Sequence, residues 1–329
     1  MLPPIAPNRT RPTTHFYAVV CEGGLASLVQ HDPPLLPRRC AIPLHRGVHG
    51  GTRDWSDSVS GVELEGVQKT LSPVLKAKAL DNRLPDPILG DALAEVVMRR
   101  LDPDYDKGWF ATSQLGLGAV VRAKVFDDWA GEFLAAHPDA VVLHLGCGLD
   151  ARVFRVDPSE TVDWYDLDYP AVARLREQLL PSRGHYTLIG SSVTDLTWLE
   201  RIPRGRPALM IAEGLVPYLS EADAQRVVTS IVDAFPTGEL LFDTVSASAW
   251  RTSKWDPLGR KYNAVFQCGF DDPSALADWH PRLAYAGEAP MNDSPILMAK
   301  APANTRRIYR IMNLLPAFKR SSRLVRFRF

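Results

Sequence analysis

Five short apolar runs alternate with helical stretches between residues 141 and 243, and few folds admit that pattern. The runs are Val141–Leu145, Val162–Asp166, Tyr186–Ile189, Ala208–Ala212 and Leu240–Asp243. They are too short for helices, and their mostly continuous apolar character suits parallel strands covered on both faces. The stretches Tyr169–Leu180, Thr197–Ile202 and Glu221–Phe235 lie between them and read as helices. Parallel neighbours need crossover connections, and those crossovers are right-handed. The segment therefore predicts a Rossmann-like α/β fold with a doubly wound, mostly parallel sheet.

Helical spacing also precedes the first strand. Thr70–Lys78 and Asp91–Leu101 carry it, the second through Leu93, Val96, Val97 and Leu101. Pro85-Asp86-Pro87 breaks the chain between them, and Asp91 is placed as an N-cap. A longer helix is predicted over Leu115–Ala136, with Val120, Val121, Val125, Phe126, Trp129 and Phe133 on one stripe. Residues 62–138 thus form a helical preface, or cap, to a core at 139–245. Residues 1–60 hold eight prolines and no clear periodicity, and they read as an irregular or disordered leader. After Val245, a substrate and edge region is expected over 246–329. Tyr262–Gln267 and Arg282–Ala286 are taken as edge strands there, and Asp272–Trp279 as a short helix. The tail Thr305–Phe329 holds eight Arg or Lys and no acid. With Ile308, Ile311, Met312, Leu314 and Leu315 it reads as an amphipathic terminal helix, packed and solvated on its basic face in preference to lying on a membrane. Residues 61–329 are read as a single domain.

Formal net charge is zero, which removes any bulk electrostatic case for nucleic acid. The four cysteines, at 21, 40, 147 and 268, form no C-x-x-C pair, so zinc and disulfide frameworks are not expected. The histidines at 15, 31, 45 and 49 are irregularly spaced without supporting carboxylates, so no metal is expected. There is no signal-peptide pattern and no apolar window near the roughly 18 to 20 residues that span a bilayer. The chain reads as a cytoplasmic protein with a small-molecule partner; oligomeric state is left open.

Ligands of doubly wound sheets sit at the carboxyl ends of the strands. After the first strand comes Gly146-Cys147-Gly148-Leu149-Asp150. Glycines permit the tight turn there, and the following helix start offers free N–H groups. Gly146-x-Gly148-x-x-Ala151 also fits a dinucleotide fingerprint, with Asp166 or Asp168 as the ribose acid about 20 residues on. A nicotinamide cofactor, S-adenosylmethionine and a purely structural turn all satisfy this loop. Context favours the methyl donor. Arg152 opens the next helix and Arg122 lies on the preceding one, and two guanidinium groups suit the carboxylate of an amino-acid moiety. Glu213-Gly214 closes the fourth strand with a second acid.

The stretches VVLHLGCGLDARVFRVD, WYDLDYP and IAEGLVPYLS resemble the leucine carboxyl methyltransferase family, within it the polyketide O-methyltransferase branch of the tetracenomycin-pathway type. The likeness includes ELEGVQKTLSPVLKAKALDNRLPDPILGD and SQLGLGAVVRAKVFDDW and spans about 62–329. It implies a class I methyltransferase fold and S-adenosylmethionine as cofactor. It assigns Arg122 and Arg152 to the cofactor side, Gly146 and Gly148 to the glycine loop, and Asp168 to the ribose. Asp166 takes a position where the family often has Glu, and Glu213 is the acid of the A-E-G motif. Where many members carry Asp-Leu after the third strand, this chain has Ser192-Val193-Thr194-Asp195, so Ser192 and Val193 are the candidates beside the adenine. Residues 1–60 match nothing in the family.

A carboxylate acceptor is already ionised at neutral pH, whereas a phenol gains from a base. His144 lies within a strand and reads as core, and no spacing selects His185 or His280. The lack of a base favours a carboxylate. Tyr218 and Arg122 are the candidate catalytic contacts, with Trp250 and Trp255 as aromatic walls. The expected activity is O-methylation of a carboxylic or hydroxylic metabolite, polyketide-like, in secondary metabolism. A protein C-terminal carboxyl methyltransferase, an NAD(P)-dependent oxidoreductase and an inactive nucleotide-binding module are the alternatives.

Overall fold

Alternation within the first strand sets the layers. In β1 (Val141–Leu145) every residue is buried, but odd and even positions face opposite sides of the sheet. Val141, Leu143 and Leu145 join one core; Val142 joins the other. The computed structural model describes residues 71–103, Tyr105, 114–255 and 265–329, all within the unit Trp55–Phe329. The leader read over 1–60 lies outside the described residues.

The sheet has seven strands in the order β3-β2-β1-β4-β5-β7-β6. Besides β1 these are β2 (Asp163–Asp168), β3 (Tyr186–Gly190), β4 (Ala208–Ala212) and β5 (Gly238–Val245), all parallel. The order reverses between β1 and β4, which is where such sheets open a ligand crevice. β4 and β5 are buried throughout, and β3, near one edge, is not.

The helical preface forms where its spacing predicts. α1 (Leu71–Asn82) and α2 (Ala92–Leu101) flank a turn that Asp81 organises, its carboxylate accepting from the N–H groups of Ile88, Leu89 and Gly90. Asp91 caps α2 by accepting from Ala94 N–H at 2.9 Å. α3 (Gln114–Ala136) lays Val121, Phe126, Ala130 and Phe133 on the Val142 side of the sheet. α4 (Arg152–Val156) and α5 (Pro170–Leu179) follow β1 and β2, and α6 (Glu221–Ala234) packs Val228, Ile231 and Val232 on the Val141 side. The helix expected near 197–202 is a 3₁₀ turn, Leu196–Arg201, capped by Asp195.

The carboxyl-terminal region departs most from expectation. α7 (Ala247–Ser253) follows β5, and β6 (Ala284–Pro290) starts two residues later than expected and runs further. Of the strand expected at 262–267, residues 265–267 are irregular and 262–264 lie outside the described residues. A 3₁₀ turn, Pro273–Trp279, stands where a short helix was expected. The tail is not one helix. α8 (Pro295–Lys300), α9 (Ala303–Met312) and α10 (Pro316–Lys319) lead into β7 (Ser322–Arg328), antiparallel between β5 and β6. Arg323-Leu324-Val325-Arg326-Phe327-Arg328 is too short a signal beside the helical spacing before it. Packing decides it: Leu324, Val325 and Phe327 are buried, and Phe327 stacks on Phe242 at 5.6 Å. Arg326 and Arg328 both pair with Glu239 of β5. No described helix is long and apolar enough to cross a membrane.

Candidate active site

The turn after β1 is built for close approach. Gly146 and Gly148 adopt φ of +62° and +53°, a region that side chains disfavour. The Gly148 N–H then donates to Asp168 Oδ2 at 2.7 Å, and the Tyr169 N–H donates to Oδ1 at 2.7 Å. Asp168 is thereby fixed at the end of β2 with part of its acceptor capacity used and part facing a cavity of about 340 Å³. That cavity lies over the carboxyl edge of the sheet, between the glycine loop, the Glu213 turn and α1.

Charged side chains close its floor. Arg122, projecting from α3, donates from Nε to Glu213 Oε1 at 3.1 Å and from Nη1 to Asp243 Oδ2 at 3.0 Å. Gly214 makes room for this guanidinium, since a Cβ there would stand 3.2 Å from Arg122 Nη2, and its φ is +67°. Lys78, buried on α1, places Nζ 3.1 Å from Asp150 Oδ2 and 3.8 Å from Glu213 Oε1. Arg122, Lys78, Glu213 and Tyr218 all line the cavity, as do Val193 and Ser191.

Burial and ion pairing divide the carboxylates. Asp166 is held down to about 2 despite its burial, by Arg176 first and by His144 and Trp164. Glu213 is likewise lowered to about 2, with Lys78, Arg122 and Arg152 outweighing burial. Burial raises Asp168 and Asp243 from their ordinary carboxylate values, against the opposing pull of backbone N–H groups and arginines. Burial also pushes the Cys147 thiol well up, so the loop cysteine stays protonated and is no nucleophile.

Three expected ligands stand elsewhere. Arg152 is fully buried beneath the cavity, where it engages Asp127 at 2.7 Å, Glu213, Asp150 and His144. A guanidinium with that many partners aligns Glu213 from behind and does not line the cavity. Asp166 is also fully buried: its carboxylate binds His144, Trp164, Tyr186 and Arg176, all inside the core. Only the second acid of Asp-Leu-Asp, Asp168, reaches the cavity, because residues two apart share a face but only the last clears the strand end. Ser192 turns to Thr194 at 2.9 Å, leaving Ser191 and Val193 as lining residues.

The aromatic walls are not there either. Trp255 is exposed, Trp250 packs near the Gly269 backbone, and neither lines the cavity. Tyr218 does, its ring 5.2 Å from Phe266. His144 is buried as expected. Arg152 can only donate to its Nε2 at 3.1 Å, so Nδ1 donates to Asp166 at 2.9 Å and the ring has no site left for a base. His185 pairs with Asp163 and His280 with Asp233, both away from the cavity.

The structure adds Lys78, Asp150 and Asp243 to the charged cluster that the sequence predicts. Asp243 carried a usable signal, as an acid in the carboxyl half of a buried strand. Lys78 sits three residues from Leu75 and one from Ala79, both buried, but α1 carries no clear apolar stripe, so its sequence gives no sign of which side the lysine faces.

The site can hold a molecule with a diol, an anionic group and an apolar body: Asp168 for the diol, Arg122 and Lys78 for the anion, Leu75, Val172 and Val193 for the rest. A leucine carboxyl methyltransferase model matches residues 72–232. The tetracenomycin polyketide synthesis O-methyltransferase TcmP of Streptomyces glaucescens is 44% identical over 268 residues, covering 82% of this chain and 98% of that one. The S-adenosyl-L-methionine-dependent methyltransferase dpfgK of Gibberella zeae is 32% identical over 250 residues, covering 68% of this chain and 82% of that one. The sheet, with one antiparallel strand inserted beside β5, is the class I methyltransferase arrangement that such kinship implies. The chain belongs to the leucine carboxyl methyltransferase family.

Proposed function

We propose that this enzyme transfers a methyl group from S-adenosylmethionine to an oxygen of a small, polyketide-like metabolite, with a carboxylate as the acceptor oxygen. The observation that carries the reading is the joint placement of Asp168, Glu213, Arg122 and the glycine loop around one cavity, in a chain 44% identical to a polyketide O-methyltransferase. An oxidoreductase reading shares the loop but not that kinship, and a protein substrate has no supporting observation.

The residues present fit the cofactor. Asp168 would take the ribose hydroxyls, Arg122 and Lys78 the amino-acid carboxylate, and Ser191 and Val193 would flank the adenine. When bound, the cofactor supplies an electrophilic methyl group on a sulfonium. The protein's part is to hold the acceptor oxygen in line with that methyl and to exclude water, which accounts for much of the rate gain in such displacements. Tyr218 and Leu219 stand on the cavity wall beyond Glu213, where they would orient the acceptor. Both ring nitrogens of His144 are engaged and Arg122 is a cation, so deprotonation of a phenol finds no histidine base at the cavity. An acceptor that arrives ionised needs none.

On this proposal residues 61–329 form one catalytic domain, with 62–138 as cap, 139–245 as core and 246–329 completing the acceptor side. It also places the enzyme in the cytoplasm, in keeping with the buried free thiols Cys147 and Cys268. The test is transfer of a labelled methyl group to a panel of aromatic polyketide acids and phenols. Label released as methanol by mild base marks an ester and supports the carboxylate. Base-stable label marks an ether and overturns that part, and label in neither overturns the acceptor class.

A further inference from the structure

The segment joining β6 to β7 carries an apolar stripe that the fold does not use. On α9, Ile308, Ile311 and Met312, with Leu315 one turn on, follow the spacing of a single helix face. Ile308, Ile311 and Leu315 are 52%, 57% and 57% exposed, and Leu314 is 79% exposed. α9 packs through Thr305 and Tyr309, and the stripe continues outward from that side through Ile308 to Ile311. Cations flank the stripe. Residues 294–329 contain nine lysines and arginines and no acid. Arg307, Arg310 and Arg320 are exposed and form no salt bridge among the described residues, unlike Lys319 with Asp293.

We propose that this face docks the enzyme on a lipid bilayer bearing anionic headgroups. An exposed apolar stripe bordered by arginines is what a helix lying in the interface requires: aliphatic side chains enter the acyl boundary while guanidinium groups stay at headgroup level. A second copy of the chain fits poorly, because a two-fold contact would set Arg307, Arg310 and Arg320 against their own counterparts. The place of the segment gives docking a use. β6 ends at Pro290 opposite Arg323, and Ser321 accepts from the N–H of Ser246, just past the end of β5. Residues 291–321 therefore leave the sheet at the edge where Gly146, Asp168 and Glu213 project. Trp255, 70% exposed after α7, rises from the same edge, and an indole suits the interface. Docking this way brings the acceptor side of the enzyme to a lipophilic substrate dissolved in the bilayer. Docking itself does not depend on the methyltransferase reading.

Co-sedimentation of the full chain with vesicles tests it. Wild type is expected to pellet with phosphatidylglycerol–phosphatidylcholine vesicles, less so as salt rises, and to stay in solution with phosphatidylcholine alone. Ile308→Asp with Ile311→Asp, and separately Arg307→Glu with Arg310→Glu, should each lower the partition coefficient about tenfold or more while leaving the melting temperature unchanged. If the aspartates impair folding, Ile308→Ser with Ile311→Ser makes the same test. Wild type left in solution with anionic vesicles overturns the proposal. Binding lost in the arginine variants but kept in the isoleucine variants overturns it in favour of a purely ionic site for an acidic protein. A concentration-dependent dimer, dissolved by Ile311→Asp and indifferent to vesicles, overturns it in favour of self-association.

Discussion

Asp166 and Asp168 show how two identical side chains, two residues apart, part company. Both are buried, yet one is tied by Arg176, His144, Trp164 and Tyr186 inside the core, and the other by two backbone N–H groups at the cavity. Sequence spacing could not divide them, since both lie near the required distance from the glycine loop. Asp168→Asn should weaken S-adenosylhomocysteine binding tenfold or more, the cost of exchanging charge-assisted hydrogen bonds for neutral ones. A dissociation constant within twofold of wild type would remove Asp168 from the site. Arg122 and Arg152 divide in the same way. The sequence makes both carboxylate ligands, but only Arg122 reaches the cavity, because Asp127 and Glu213, from elements distant in sequence, join Asp150 and His144 in enclosing Arg152. Arg122→Ala should abolish cofactor binding in a protein that still folds, while Arg251→Ala, on an exposed face of α7, should leave it intact. Equal loss in both would discredit Arg122 as the group that holds the cofactor carboxylate.

At the scale of elements, β1 and β4 were readable to the residue and α3 to within one. Their signals are local: a run of apolar residues, a stop at His137-Pro138-Asp139, a stripe of period near 3.6. β7 was not readable, since an antiparallel strand inserted beside β5 is specified by partners some 80 residues upstream, Glu239 and Phe242 among them. The 3₁₀ turn at Leu196–Arg201 was missed as such because a single capped turn and a short helix share their spacing. The packing assigns β7 a measurable share of stability. Phe327→Ala should cost about 3 to 5 kcal/mol, the usual range for a buried phenylalanine, read by urea unfolding. A loss under about 1 kcal/mol would mean that the strand is dispensable to the core.

For the whole molecule, the linked ion pairs join cap to core. Lys78 comes from α1, Arg122 from α3, Asp150 from the glycine loop, Glu213 from the β4 turn and Asp243 from β5. Assemblies of this kind are invisible to local reading, although each member lies on or beside an element whose spacing is legible. They also set a pH dependence. The folded pKa of Asp166 is depressed from 3.8 to about 2, so its contribution is present above the unfolded value and is lost as pH falls from about 4 towards 2. That shift corresponds to roughly 2 kcal/mol. Glu213 acts in the same direction, from 4.5 downward. Asp168 and Asp243, whose pKa values are raised, act in the opposite direction, since their protonated forms favour the fold. Stability should therefore decline below about pH 4.5, and Asp166→Asn should flatten the decline; parallel profiles for variant and wild type would contradict the assignment.

A glycine loop that either of two cofactors could use becomes a methyl-donor site through Arg122, Asp168 and Glu213. Calorimetric titration of the full chain with S-adenosylhomocysteine, and separately with NAD and NADP, tests it most directly. One-site binding of S-adenosylhomocysteine is expected, with none of either dinucleotide. Binding of a dinucleotide with no heat from S-adenosylhomocysteine would contradict it.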